Sequence, residues 1–489
     1  MTDQLRQSFN DFCSLVIQRC GDETVSHRQD VHIEQVSNPL QQLKDMVEQC
    51  ERSTEFRLLC QNTIQQFHGH LPREDHYASQ QYVTCVQVFF RRTGFYHRAF
   101  QKESPDITFD DFLTAFERRE KTLTYLIPLE LIEFHEREYD FGWFKVKRFP
   151  KQELDAVLEQ EIALQFFPWA ETDTELLSRY WWLVVKEQTE IPERDKWHID
   201  LTGLGKVRFS ANTFPDKVNE ALLRLALFDW ELGRNVRGKG EDLERHWSRF
   251  EAPFAIVVTD DQLERLSIAP NLNRLNLVPY VDPETREEIG ELPFFDFPMG
   301  EKESEHFRSM VTEYDSMLSA LANVPKRWNF LNVARSFFLK AFFSDGMEQL
   351  LWHIVVVEAL VGERSEGLTE KLASRISITL EATDERRQSM RRDFKELYTF
   401  RSNMVHGNTV EDKVMVGHLR RARLYARALL VWWLRYLTKV KAATEDMDAV
   451  PKRKHLLALL ETNVTDRNHL GRLSEHLPDS FPKVEGWQL

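Results

Sequence analysis

Apolar positions in the first 122 residues recur every three or four places, as in NPLQQLKDMVEQCERSTEFRLLCQNTIQQF. That is the period of a helix with one buried face. Helices are therefore expected to dominate residues 1–122. Near residue 123 the texture changes to short aromatic and β-branched runs, TLTYLIPLELIEF, FGWFKVKRF, YWWLVVKE and FAIVV. Runs of this kind between turn formers predict strands. DKVNEALLRLALFDWEL, lying among them, is helical in period, so residues 123–303 read as a mixed α+β domain. PNLNRLNLVPYVDPETREEIGELPFFDFPMG carries five prolines and reads as a long irregular connection.

From residue 304 to about residue 445 helix follows helix. NFLNVARSFFLKAFF is amphipathic, and Ser344-Asp345-Gly346 interrupts it, with Ser344 or Asp345 placed to cap the next helix. GMEQLLWHIVVVEALVG is apolar nearly all round but shorter than the roughly 18 to 20 residues that span a bilayer, which fits a helix buried in a bundle. TEKLASRISITL, DERRQSMRRDFKELYTF and DKVMVGHLRRARLYARALLVWWLRYL complete the helical series, and residues 446–489 form a tail. The expected fold is multidomain and mainly α, with an N-terminal helical region, a central α+β domain and a C-terminal helical bundle.

Composition adds limits. The chain has 489 residues, 42% of them hydrophobic, enough to fill several cores. Its net charge of −14 argues against wholesale coating of nucleic acid, which needs clustered Lys and Arg. The charge is unevenly spread: from Leu331 onward there are 25 Lys and Arg against 21 Asp and Glu, a balance of +4 that leaves −18 upstream. A mildly basic C-terminal domain suits phosphate, although a solvated basic face explains the same count. All five cysteines (Cys13, Cys20, Cys50, Cys60 and Cys85) lie in the first 85 residues without a CxxC pair, which points to a reducing compartment rather than a disulfide framework. MTDQLRQSFNDF lacks the order of a signal peptide and no apolar run is long enough to span a bilayer, so a soluble cytoplasmic protein is expected.

One stretch carries chemistry: Glu396-Leu397-Tyr398-Thr399-Phe400-Arg401-Ser402-Asn403-Met404-Val405-His406-Gly407-Asn408. Five residues of ideal helix turn through about 140°, so Arg401 and His406 share a face only if the helix ends near His406. Gly407 supplies that end, since glycine readily takes the left-handed conformation just past a helix. His406 then sits at a helix C-terminus, where the dipole favours imidazolium, a setting for general acid/base work.

LYxxRSxxVHG, after a buried helix ending in VVxEAL, resembles the Apea-like branch of the HEPN superfamily, whose signature is Arg, four to six residues, then His. The resemblance covers roughly residues 305 to 440. It implies a metal-independent endoribonuclease that needs no cofactor and works as a homodimer, with His406 taking the 2′-hydroxyl proton and Arg401 neutralising the developing phosphorane. Asn403 and Tyr398 are candidates to position the phosphate, and Glu358 matches an acidic residue the family often carries. Arg420, Arg423 and Arg427, with Arg421, stud the last helix as candidate phosphate contacts. The resemblance further implies an effector of bacterial defence against phage, acting on tRNA or another cellular RNA, with residues 1–303 sensing a phage-derived trigger. Two other readings stand beside it: an inactive HEPN scaffold that dimerises or binds RNA, and a toxin silenced by an antitoxin. In the plainest reading, Arg401 pairs with Glu358 or Glu396 and His406 merely caps its helix.

No other constellation matches it. Cys60, His68, His70, Asp75, His76 and Cys85 offer metal-ligand types within 26 residues, but in no standard zinc spacing, and no metal site is assigned. GRNVRGKGED (233–242) lacks the P-loop order, and HEREYD at His135 lacks the second histidine of HExxH. Asp260 and Asp261 follow the strand-like FAIVV and suit capping as well as metal binding.

Overall fold

The structure is a computed structural model. It describes residues 2–22, 39–68, 76–104, 106–159, 172–191, 214–230, 250–264, 275–282, 285–323, 325–363, 367–381, 383–406 and 412–442, with 452–454, 457 and 460. The chain divides into two compact units. One comprises Met1–Leu131, Arg137–Ser210 and Ala252–Phe295; the other comprises Ile132–Glu136, Ala211–Glu251 and Asp296–Leu489. The cut is not linear in sequence: the N-terminal helices and the central strands share the first unit, and residues 211–251 belong with the C-terminal helices.

Among the described residues the first unit opens with the helices α1 (Thr2–Asp22), α2 (Pro39–Glu51), α3 (Thr54–Phe67), α4 (His76–Arg92), α5 (Phe95–Phe100) and α6 (Phe109–Glu117). Their apolar stripes meet in an aromatic core: Phe9, Phe12, Phe90 and Phe112 are almost wholly buried, and Phe12 meets Phe90 edge-on at 5.0 Å, a favoured ring geometry. At the start of α6, the Thr108 hydroxyl accepts from Asp111 N while the Asp111 carboxylate accepts from Thr108 N, closing two otherwise unpaired donors. All five cysteines are free thiols. Burial pushes the Cys13 thiol up to about 12 and raises that of Cys60 as well. Alkylation needs the thiolate, which a raised pKa makes scarce. Iodoacetamide should label Cys13 and Cys60 at least about a hundredfold more slowly in the native chain than in denaturant. Equal native and denatured rates, read by mass spectrometry, would refute the burial assigned to these thiols.

The strands are β1 (Glu120–Leu129), β2 (Leu131–Glu133), β3 (Glu138–Asp140), β4 (Phe144–Arg148), β5 (Trp181–Glu190), β6 (Ile256–Thr259), β7 (Leu277–Val281), β8 (Glu288–Pro293) and β9 (Phe295–Pro298), with short helices α7 (Lys151–Val157) and α8 (Thr174–Leu177) between β4 and β5. The main sheet is antiparallel in the order β3-β4-β5-β1-β6. β1 and β5 pair over their full lengths, Glu120 opposite Glu190 and Leu129 opposite Trp181. Leu126, Trp182 and Ile256 from three neighbouring strands enter a core with Phe149, Leu154 and Leu177, as period-2 alternation requires. All four runs expected to be strands lie in β1 and β2, β4, β5 and β6. The proline-rich segment departs from expectation, because β7 and β8 form a two-stranded ribbon with Pro279 opposite Glu291 and β9 pairs with β2. A ribbon of two strands consists of edges, where a missing N–H is tolerated.

The second unit is mainly helical: α9 (Asp216–Ala226), α10 (Glu301–Ala320), a 3₁₀ turn (Lys326–Trp328), α11 (Asn329–Phe342), α12 (Gly346–Val361), α13 (Leu368–Leu380), α14 (Asp384–Val405) and α15 (Asp412–Ala442). Asp345 takes the N-cap position of α12, and Leu350, Ile354, Val357 and Leu360 bury the helix as its composition predicts. Arginines tie the bundle together. Arg435 of α15 grips Glu313 of α10 through two bonds of 2.8 and 3.0 Å, and Arg224 of α9 meets Asp315 at 2.6 Å. Among the described residues no helix is long and apolar enough to cross a membrane.

Candidate functional site

α14 carries the motif. Thr383 starts it, its hydroxyl accepting from Arg386 N, with Asp384 and Glu385 in the first turn, the charge preferred at a helix N-terminus. His406 ends it: the residue is the C-cap, and its N–H donates to Ser402 O at 3.1 Å. The helix therefore stops where the sequence placed its end, while Gly407, Asn408 and Thr409 lie outside the described residues. The His406 side chain is exposed, reachable by a ligand from solvent.

Arg401 is half-buried, about 7 Å back along the helix axis. Its guanidinium lies over the Tyr398 ring, with Cζ 5.7 Å from the centroid, within cation–π range. Nε is buried, with no hydrogen-bond partner among the described residues, and Arg401 makes no ion pair there either. The two carboxylates that the plainest reading offered it are engaged elsewhere. Glu396 meets Arg421 at 3.4 Å, and Glu358 Oε1 accepts the Tyr398 hydroxyl at 2.8 Å. Burial, then the bond to Glu358, pushes the Tyr398 phenol up to about 12. Tyr398 therefore stays a donor at any physiological pH and locks α14 to α12. A half-buried guanidinium over a fixed ring, without its own anion, can receive a ligand's phosphate in a bidentate fork.

The structure thus brings Glu358, Tyr398 and Arg401 together and leaves Asn403 apart. Two residues turn a helix through about 200°, and Asn403 lines an open groove on another face of α14. Of the arginines on α15, Arg423 donates to Gln349 Oε1 at 3.3 Å and Arg427 pairs with Asp229 at 2.5 Å, both within their own unit. Arg420 is exposed.

Two supporting arginines carry no motif that sequence reading registers. Arg453, in the segment read as a tail, donates Nη2 to the carbonyls of Glu358, Ala359 and Gly362 at 3.2, 2.8 and 2.5 Å. Arg375, fully buried, reaches Val361 O at 2.7 Å. Together they hold carbonyls at the end of α12, the turn that carries Glu358. The basic run PKRKH is the one sequence trace of Arg453.

Where they are described, residues of the remaining constellations make structural contacts. Asp260 accepts from Arg118 Nη2 at 2.6 Å and from Thr122 N at 2.7 Å, and Asp261 accepts from Leu263 N. From HEREYD, Glu136 takes Arg308 and Ser304 while Glu138 and Asp140 share Lys145. Cys60 and Cys85 are buried in the aromatic core, whereas His70, Asp75 and the glycine-rich 233–242 lie outside the described residues. No group of three or more metal-ligating side chains occurs among the described residues. Comparison of the chain with protein-family models, with curated proteins and with solved structures gives no match.

Proposed function

We propose that this chain is a metal-independent endoribonuclease of HEPN type, acting as a homodimer, with Arg401 and His406 at its chemical centre and bacterial defence against phage as its setting. The observation that carries the reading is Arg401, held over Tyr398 with no anionic partner among the described residues, on the helix that ends in the exposed His406.

In this reaction the His406 imidazole takes the proton of a ribose 2′-hydroxyl. O2′ then attacks the adjacent phosphorus and the P–O5′ bond breaks. The products are a 2′,3′-cyclic phosphate and a 5′-hydroxyl, O5′ taking up a proton as it leaves. Charge grows on the non-bridging oxygens in the transition state, and the planar fork of Arg401 stabilises it there. Tyr398, with its hydroxyl anchored on Glu358, keeps the guanidinium from folding away.

The test is total RNA incubated with the purified chain in EDTA and the product ends mapped. Fragments ending in 2′,3′-cyclic phosphate are expected. A substrate with 2′-deoxyribose at the cleaved position should stay intact, because its nucleophile is missing. Activity that disappears in EDTA and returns with a divalent cation would overturn the mechanism. Strand binding without cleavage would favour a scaffold.

A further inference from the structure

Gln388, Arg392, Lys395, Thr399 and Asn403 recur every three or four residues of α14 and so form one stripe on the helix, with Arg391 at its edge. They line an open groove of about 780 Å³, with Glu370 from α13 and His418 from α15 opposite. From Gln388 to Asn403 the groove follows about 22 Å of helix axis, several times the reach of a single phosphate group.

Its charges are unequally matched. Lys395 pairs with Glu370, and Glu396, which also lines the groove, pairs with Arg421. Arg391, by contrast, donates to neutral hydroxyls, Ser377 Oγ at 3.0 Å and Ser374 Oγ at 3.3 Å, and Arg392 is exposed; neither meets a carboxylate among the described residues. Toward the other end the His418 ring lies on Phe400, centroids 4.0 Å apart at 25°. His418 Nδ1 is buried with no partner among the described residues, and the Asn403 amide is exposed. Burial, followed by the Arg421 charge, holds the imidazole below its usual range.

We propose that this groove binds a single strand of nucleic acid, with phosphodiesters on Arg391 and Arg392 and bases toward His418 and Asn403. Guanidinium forks match phosphate oxygens, while an aromatic–imidazole stack and a side-chain amide suit unpaired bases. Length and openness favour a chain over a small anion. The groove lies on the side of α14 away from Arg401, with His406 about 60° of helical turn from Asn403, and strand binding there is measured without cleavage.

Titration of a fluorescein-labelled oligouridylate by anisotropy tests it, using the full chain with His406→Ala so that the strand stays intact. Binding is expected at about 0.1 M salt, for the RNA and for its DNA counterpart, and the ratio of the two affinities identifies which strand is preferred. Arg392→Ala, an exposed position where folding is not at stake, should weaken binding about threefold or more and make the log–log salt slope shallower by about 0.7. Asn403→Ala should weaken binding without changing that slope. An unchanged affinity in Arg392→Ala, loss of binding only in Arg401→Ala, or displacement by inorganic phosphate as effective as by unlabelled strand would each overturn the proposal. Because binding is read without cleavage, a failure here leaves the EDTA assay informative, and the converse holds.

Discussion

Alanine at position 406 lowers the rate of RNA cleavage by about 10²–10⁴-fold, the contribution of a positioned general acid or base, and leaves folding unchanged. The second half follows from exposure: the His406 side chain faces solvent and the helix-ending bond uses its backbone N–H, which alanine retains. Arg401→Ala should be of similar size, because it removes the group that meets the charge formed only in the transition state. Combining the two should cost little more than either alone, as residues acting on one transition state are far from additive. Arg401→Lys separates charge from shape. Lysine keeps the cation but loses the planar fork and its stacking on Tyr398, so most of the alanine defect should persist. Initial rates on one labelled RNA, with circular dichroism to confirm folding, decide the matter. Full activity in His406→Ala would remove the motif from the chemistry.

How much of this was legible in the sequence differs by element. The first half of β5, Trp181–Val185, is a continuous apolar run, and α12 is apolar nearly all round; both announce burial because few polar positions compete. The end of α14 was legible because Gly407 marks it two residues beyond Val405. The ribbon β7–β8 was not: Pro279 and Pro283 signal a break, and only pairing with a second strand overrides that local signal. At the site, the sequence placed Arg401 and His406 in one short stretch but left Glu358 as a match to an acidic residue of the family it resembles. Its bond to Tyr398 joins positions 40 residues apart, and no local period encodes such a distance. Asn403 lies between Arg401 and His406 in sequence, yet about 200° of helical turn sends it to the groove. The groove itself is built by three helices, so its residues read locally as a solvated charged face.

Trp433→Ala should destabilise the second unit by about 3–5 kcal/mol, the range for truncating a fully buried aromatic side chain. Trp433 on α15 has no exposed surface and meets Phe330 edge-on at 5.4 Å and Trp432 at 5.1 Å. The effect should spread to the site by contact. Phe330 also carries the Arg453 guanidinium, 5.4 Å from its ring centroid, and Arg453 holds the carbonyls at the end of α12, that of Glu358 among them. Loss of the indole leaves Phe330 unsupported on one side. Arg453 loosens, and the last turn of α12 frays beneath Tyr398. Trp433→Phe should be much milder than the alanine change, because the indole Nε1 is buried with no acceptor among the described residues; phenylalanine removes that unpaired donor while keeping most of the ring. With two units in the chain, a single melting transition is a poor readout, so native-state hydrogen exchange of α12 and α15 amides is the measurement. Protection in Trp433→Ala that stays within about 1 kcal/mol of wild type would show that α15 does not carry the bundle in the way its burial implies.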